Sequence, residues 1–313
     1  MIRVDHLSKQ FDATVAVDDI SFEIAHGEIV GFLGPNGAGK TTTLRMLTGY
    51  LKPTNGSIEM AGLRVDDNPL EFRKRIGYLP ELNPLYDDLE VYEYLTFFGH
   101  LRSIEANNLK KRIQIVVESC GLGDVVGKDV GQLSKGYKQR LGLALAILHD
   151  PEILLLDEPT SGLDPNQIRE IRHLIQELQK EKTVVLSTHI LQEVQASCNR
   201  VLIINRGAIV ASGTTEQLQD MVMGKEQIVL EIKGDDQGFS RLIESLPGVE
   251  TAACKPDTGK QQTVYEIETT GTEDLRERLF SLAVEHKRVI IELHRQHINL
   301  EEIFRRLTEG TDD

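Results

Sequence analysis

Residues 34–41 read Gly34-Pro35-Asn36-Gly37-Ala38-Gly39-Lys40-Thr41 and fit the spacing G-x-x-x-x-G-K-[ST]. These residue types at this spacing bind phosphate. Glycines let backbone N–H groups turn inward without a Cβ clash, and a helix starting at the end of the loop adds positive potential. Lys40 is placed to reach the β- and γ-phosphates of a nucleotide and Thr41 to ligate Mg²⁺, with Thr42 next in the first helical turn. A second chemical group is acidic. The apolar run Ile153-Leu154-Leu155-Leu156 ends in Asp157-Glu158-Pro159. A buried parallel strand presents its C-terminal end to ligands, so Asp157 is positioned to hold Mg²⁺ and Glu158 to polarise a water. His189 stands just past another apolar run, Thr183-Val184-Val185-Leu186-Ser187, where it can touch a γ-phosphate. Phe11 offers a π-face for stacking on adenine, its plain alternative being a core side chain. Ser134 in Leu133-Ser134-Lys135-Gly136-Tyr137 is placed as the N-cap of a helix over 138–148, with Gly136 beside it. A nucleotide with β- and γ-phosphates and Mg²⁺ is the expected ligand pair.

The elements that must position these groups alternate between strand and helix. Ile29-Val30-Gly31-Phe32-Leu33 reads as a buried strand feeding the phosphate loop, and Thr42 to Thr48 as the helix after it. Ahead of them, 2–7, 15–17 and 20–24 alternate as strands of an early antiparallel layer, and Ser57-Ile58-Glu59-Met60 adds a short one. Ile76 to Glu81 reads as a strand ending at Pro80. From about Val91 to Gly121 the spacing turns helical, with Tyr92, Leu95, Phe98 and Leu101, then Ile113, Val116 and Val117, as the apolar positions. This predicts a helical insertion in an α/β core, its aromatic stripe serving as its own core. Ile168, Ile171, Ile175 and Leu178 mark another helix, and Val201 to Ile204 a last strand. After about residue 224 the pattern restarts in the order β-α-β-β-α-β, the last helix at 298–307, with a loop at 255–259. The expected organisation is therefore residues 1–224 as a nucleotide-binding domain and 225–313 as a small α+β ferredoxin-like module.

Composition bounds the rest. The chain has 313 residues, 40% hydrophobic and 27% charged, as in soluble proteins. The net charge of −14 argues against nucleic acid as a partner. No apolar run nears the ~20 residues of a membrane span, and the N-terminus lacks the apolar core of a signal peptide, so a cytoplasmic location is expected. Cys120, Cys198 and Cys254 are expected to be buried or semi-buried thiols. His294 and His297 are expected at the surface.

Taken in order, the phosphate loop, Leu133-Ser134-x-Gly136, Asp157-Glu158-Pro159-Thr160, Ser161-Gly162-Leu163-Asp164 and Ser187-Thr188-His189 resemble the ATP-binding subunit of an ABC transporter over about residues 1–220. Within that family the chain looks like the ABC-2 type, most of all its gliding-motility-associated subset, through Asp164-Pro165-Asn166-Gln167, Ser187-Thr188-His189-Ile190 and the C-terminal extension. The resemblance implies a P-loop NTPase fold of ABC type: a RecA-like core, an antiparallel β layer and a helical subdomain. It also implies a homodimer formed on ATP, with two nucleotides sandwiched head to tail. Lys40 and Thr41 of one copy would hold the phosphates, and Ser134 and Gly136 of the other would cap the γ-phosphate. Glu158 would polarise the attacking water, His189 would sense the γ-phosphate, and Asp164 would signal across the interface. The insertion and the segment from Glu81 to Leu89 would meet a membrane-spanning permease encoded separately, which places the chain on the inner face of the membrane. Two positions depart from the family pattern. Glu81 replaces the usual glutamine, still able to ligate Mg²⁺ but not to donate amide hydrogen bonds, and Ser-Lys-Gly-Tyr replaces Ser-Gly-Gly-Gln. Other readings are a soluble ABC ATPase acting on ribosomes or DNA, and a nucleotide-gated module that hydrolyses poorly.

Overall fold

The alternating N-terminus forms two long antiparallel strands, β1 (Ile2–Phe11) and β2 (Thr14–Ile24), with Ile2 opposite Ile24 and Phe11 opposite Thr14. The computed structural model describes residues 1–222, 226–236, 238–257, 262–269, 274–296 and Phe304. On the inner face of this pair Ile2, Val4, Leu7, Val17, Ile20, Phe22 and Ile24 are buried. Next come β3 (Ile29–Leu33), buried at every position, and α1 (Lys40–Leu47). β4 (Asn55–Met60) and the two-residue β5 (Leu63–Arg64) complete a four-stranded sheet in the order β2-β1-β4-β5. A six-residue helix, α2 (Pro69–Lys74), follows, too short to announce itself by periodicity. Its N-cap Asn68 accepts a hydrogen bond from the Glu71 N–H at 3.3 Å, and proline opens its first turn. β6 (Ile76–Leu79) then enters the main sheet.

The helical insertion comprises α3 (Val91–Leu101) and α4 (Ala106–Ser119), leading to α5 (Lys135–Ile147). The break between the first two falls at Ser103, which takes a left-handed φ of 57°. Of the four expected apolar positions of α3, Leu95 is fully buried and Phe98 packs against the core. Val91, Tyr94, Leu95 and Gly99 are its buried residues, whereas Tyr92 and Leu101 point outward. Residues at 91, 94, 95 and 98 follow the 3.6-residue period. A strict every-third reading drifts off the face. α5 begins at Lys135, three residues before the predicted start, and Ser134 is its N-cap as expected.

The remaining core elements are β7 (Ile153–Asp157), α6 (Pro165–Gln179), β8 (Thr183–Thr188), α7 (Leu191–Ser197), β9 (Arg200–Asn205) and β10 (Ala208–Gly213). They give a six-stranded sheet in the order β10-β9-β3-β8-β7-β6, parallel except for its edge strand β10. β7 and β8 are buried throughout, which explains their unbroken apolar runs. Their C-terminal ends and that of β3 lie side by side, with Leu33 opposite Thr188 and Asp157 opposite Ser187. One apolar cluster packs this sheet against the antiparallel layer and α1, and another packs it against the insertion and α6.

The chain separates into two compact units, Met1–Thr215 and Glu216–Asp313. The division falls at the start of α8 (Thr215–Val222), whereas the sequence pattern placed it after residue 224. The second unit contains β11 (Glu226–Lys233), α9 (Phe239–Glu244), β12 (Val249–Asp257), β13 (Gln262–Thr269), α10 (Arg276–Glu285) and β14 (Ile290–Gln296). Its antiparallel sheet runs β12-β13-β11-β14, the ferredoxin-like order that β-α-β-β-α-β implied. Lys255, Pro256 and Asp257 belong to β12 rather than to a loop, paired with Val264, Thr263 and Gln262. Its core is Ile228, Leu230, Ile232, Phe239, Ile243, Tyr265, Ile267 and Leu279. The predicted helix at 298–307 and His297 lie outside the described residues, Phe304 excepted. His294 is half-buried on β14, beside Glu292 at 3.1 Å. Burial pushes the thiols of Cys120 and Cys198 up to about 12, while Cys254 is exposed, contrary to expectation.

Candidate functional site

The phosphate loop links the end of β3 to α1, as strand, glycines and helix in sequence require. Gly37 and Gly39 have φ of 81° and 107°, conformations that other residues reach only with strain. A Cβ at Gly39 would sit 2.5 Å from the Ala16 carbonyl, and one at Gly34 would collide with the Ile204 carbonyl. Gly34, Pro35 and Ala38 therefore shape the loop, while Asn36, Gly37, Gly39, Lys40, Thr41 and Thr42 line a cavity of about 410 Å³. Glu81, Glu158, Ser161 and His189 face the same cavity. Residues far apart in sequence thus meet at the ends of three strands, the usual place for a ligand in such a sheet.

Lys40 is 6% exposed. Its ammonium donates to the carbonyls of Gly34 (2.8 Å) and Pro35 (3.2 Å) and lies 3.5 Å from Glu158 Oε1. Asp157 is fully buried. Its Oδ1 accepts from the hydroxyls of Thr41 (3.1 Å) and Ser187 (2.5 Å), and its Oδ2 has no hydrogen-bond partner. Burial, and then the Asp157 charge, push the nearby Tyr78 phenol up to about 12. Glu158 adopts a left-handed φ of 48°. Its N–H donates to both the carbonyl and the hydroxyl of Ser187 at 3.1 Å. The Glu158 carboxylate, 8% exposed, lies 2.9 Å from His189 Nδ1, whose ring is 45% exposed. A buried carboxylate, a cation and an accessible imidazole thus surround one phosphate-sized space.

The other sequence candidates stand outside this cavity. Phe11 is 45% exposed at the end of β1, with the Lys9 ammonium 5.0 Å from its ring centroid, which rules out the plain core reading. Ser134 caps α5, accepting from the Tyr137 N–H at 3.4 Å. Gly136 is buried against Gln167, and Asp164 caps α6, accepting from Asn166 (2.9 Å) and Gln167 (3.0 Å) in a capping box. Tyr137, without a role in the sequence reading, lies against the Arg140 guanidinium.

Sequence reasoning missed the group that joins the loops carrying Glu158 and His189. Glu193 on α7 is 3% exposed and accepts from the Thr188 hydroxyl at 2.7 Å and from the Thr160 hydroxyl. Thr160 follows Glu158 by two residues and Thr188 precedes His189, so one carboxylate ties both loops. The only signal in the sequence was an acidic residue beside Val194 on a short helix. Glu193→Ala is expected to cut kcat for ATP hydrolysis about 10–100-fold, with KM for ATP held within about threefold. Glu193→Gln should recover most of the rate, because the amide can accept from one threonine and donate to the other. Steady-state phosphate release measures both.

Known proteins agree with this geometry. The family model described as ABC transporter matches residues 17–161. An uncharacterized ABC transporter ATP-binding protein of Bacillus subtilis, YxlF, is 37% identical over 85% of this chain and 86% of its own length. The Nod factor export ATP-binding protein I of Cupriavidus pinatubonensis is 32% identical over 98% of this chain and 90% of its own. Among solved structures, cbiO1 of Clostridium perfringens, part of the ABC transporter complex cbiONQ, matches with a TM-score of 0.64 and 30% identity, covering 69% of this chain and 89% of that one. With a nucleotide cradle, a buried acid pair and relatives of this extent, the chain belongs to the ATP-binding, ATP-hydrolysing proteins of the ABC transporter family.

Proposed function

We propose that the chain powers an ABC-2 type exporter as an ATP-dependent homodimer, docked on a separately encoded permease at the cytoplasmic face of the membrane. The observation that carries the reading is a half-built site. One wall of the cavity holds the phosphate loop, Glu158 and His189, with Asp157 buried behind Thr41, while Ser134, Gly136 and Asp164 of the same chain do not line it. A second copy placed head to tail supplies that missing wall. The name of the Nod factor export relative supports the outward direction. Exposed Leu82, Tyr86, Tyr92, Phe97 and Leu101, on and before the insertion, offer the permease an apolar surface.

The oxygen donors suit Mg²⁺. Asp157 Oδ2 is buried and unpartnered, the Thr41 hydroxyl already touches the same carboxylate, and Glu81 lines the cavity. Asp157, Thr41 and Glu81 would hold the ion, which when bound neutralises phosphate charge. Lys40 exchanges its two backbone carbonyls for phosphate oxygens. Glu158 accepts the proton of the attacking water, and His189 holds the γ-phosphate end against it. Phe11 stacks on adenine from the end of β1. Light scattering of a Glu158→Gln variant tests the sandwich: adding ATP is expected to double the mass, and Ser134→Arg to abolish the doubling. A chain that binds ATP and stays a monomer, even beside its permease, removes the reading.

A further inference from the structure

A second cavity, of about 500 Å³, opens at the N-terminal ends of β6 and β7, away from the nucleotide cradle. It is walled by the ends of α2 and α3, by α4 and by the turn after α5. Lys74, Arg102, Lys111 and Arg112 line it against only two carboxylates, Glu105 and Asp150. In a chain of net charge −14 this is a local reversal of sign. Asp150 is already taken by Lys182 (2.7 Å) and Arg112 (3.4 Å).

Arg102 has no such partner. Its guanidinium donates to the Arg73 carbonyl at 3.3 Å and forms no ion pair among the described residues, although burial lowers its pKa. Arg102 is only partly buried, so its guanidinium, without a counter-charge, stays accessible to an anion entering the cavity. His149, also in the wall, contributes a second unsatisfied group. Its Nε2 meets the Ile76 carbonyl at 3.0 Å, and its Nδ1 is buried with no partner. A carbonyl only accepts, so Nε2 carries the proton and Nδ1 presents a bare lone pair, a tautomer inferred from that bond. Burial, then the charges of Arg102, Arg112 and Lys182, hold the ring neutral, with its pKa down to about 4.

We propose that this cavity binds a phosphate monoester. The planar fork of Arg102 matches two phosphoryl oxygens, and the exposed ammonium of Lys111 neutralises the group from the rim. Once the ring turns its buried Nδ1 toward the cavity, a protonated phosphoryl oxygen supplies the donor that His149 lacks, which sulfate, fully ionised, does not offer. Ile104 and Ile115 in the wall, and a volume well above that of phosphate alone, leave room for an organic body. The Ile76 carbonyl that holds His149 begins β6, the strand that ends two residues before Glu81. A ligand here therefore touches the far end of an element whose near end enters the nucleotide cavity.

The test is calorimetric titration of the full chain with its nucleotide cradle saturated by a non-hydrolysable ATP analogue, which fills the γ-phosphate position, so that phosphate cannot sit at Lys40. Inorganic phosphate, glycerol phosphate, sulfate, and vesicles with and without phosphatidate are the probes. Phosphate and glycerol phosphate are expected to bind about fivefold or more tighter than sulfate, and to weaken about tenfold in Arg102→Ala and in the rim variant Lys111→Glu. Binding to phosphatidate vesicles alone, with the same dependence on both residues, assigns the phosphoryl group to a lipid headgroup. No binding of any phosphate, equal affinity for sulfate, or binding indifferent to both substitutions overturns the proposal.

Discussion

Glu158→Gln is expected to lower kcat for ATP hydrolysis about 10²–10⁴-fold while leaving the affinity for ATP within about threefold. The carboxylate is buried, faces the cavity and lies beside His189, so it is positioned to take a proton inside the site. Glutamine preserves its size and one of its two acceptor oxygens but has no basicity. Lys40 and the loop N–H groups, proposed to grip the phosphates, are unchanged. Phosphate release at saturating ATP measures the first quantity and equilibrium nucleotide binding the second. A variant with the parental rate moves the base to another residue.

Lys40→Ala is the second large effect, and it acts twice. Hydrolysis is expected to fall about 10²–10³-fold with a clear loss of ATP affinity, because among the described residues no other lysine or arginine lines the cavity. Without nucleotide, the same change strands the Glu158 carboxylate beside the half-exposed His189 alone, since Lys40 at 3.5 Å is its other charged partner among the described residues. Urea unfolding of the two single variants and the double should therefore be non-additive. Lys40→Ala is expected to destabilise the parent more than the Glu158→Gln chain, with a coupling of about 1–3 kcal/mol. Additive losses would mean that the ammonium and the carboxylate do not sense each other.

How legible the site was depended on how its residues are spaced. The phosphate loop is eight consecutive residues between a buried strand and a helix start, so its local pattern carried both its shape and its chemistry. Asp157, Glu158 and His189 were readable because each ends an apolar run, and strand ends in a parallel sheet converge. Ser187, one ladder rung from Asp157, became visible only with the order β3-β8-β7, which no local pattern reveals. Glu193 was hidden in a seven-residue helix, too short to show its phase. On α3, Leu95 and Phe98 were read correctly and Tyr92 and Leu101 were not, because apolar residues occupy both candidate faces and packing against α4 and α5 decided between them. The basic cavity draws its residues from four helix ends and faces, so only tertiary structure assembles it. The β-α-β-β-α-β order of the second unit was legible, yet β12 runs through Pro256, a residue that sequence patterns assign to loops.

The left-handed backbone at Glu158 sets backbone strain against charge pairing. A glutamate held at φ 48° stores strain on the order of 1 kcal/mol, clamped there by Ser187. Glycine would relax that strain at once and lose the carboxylate with it. The same change strips the buried Lys40 ammonium of its counter-charge, so at this one peptide unit the strain released is set against a lost ion pair of similar or greater size.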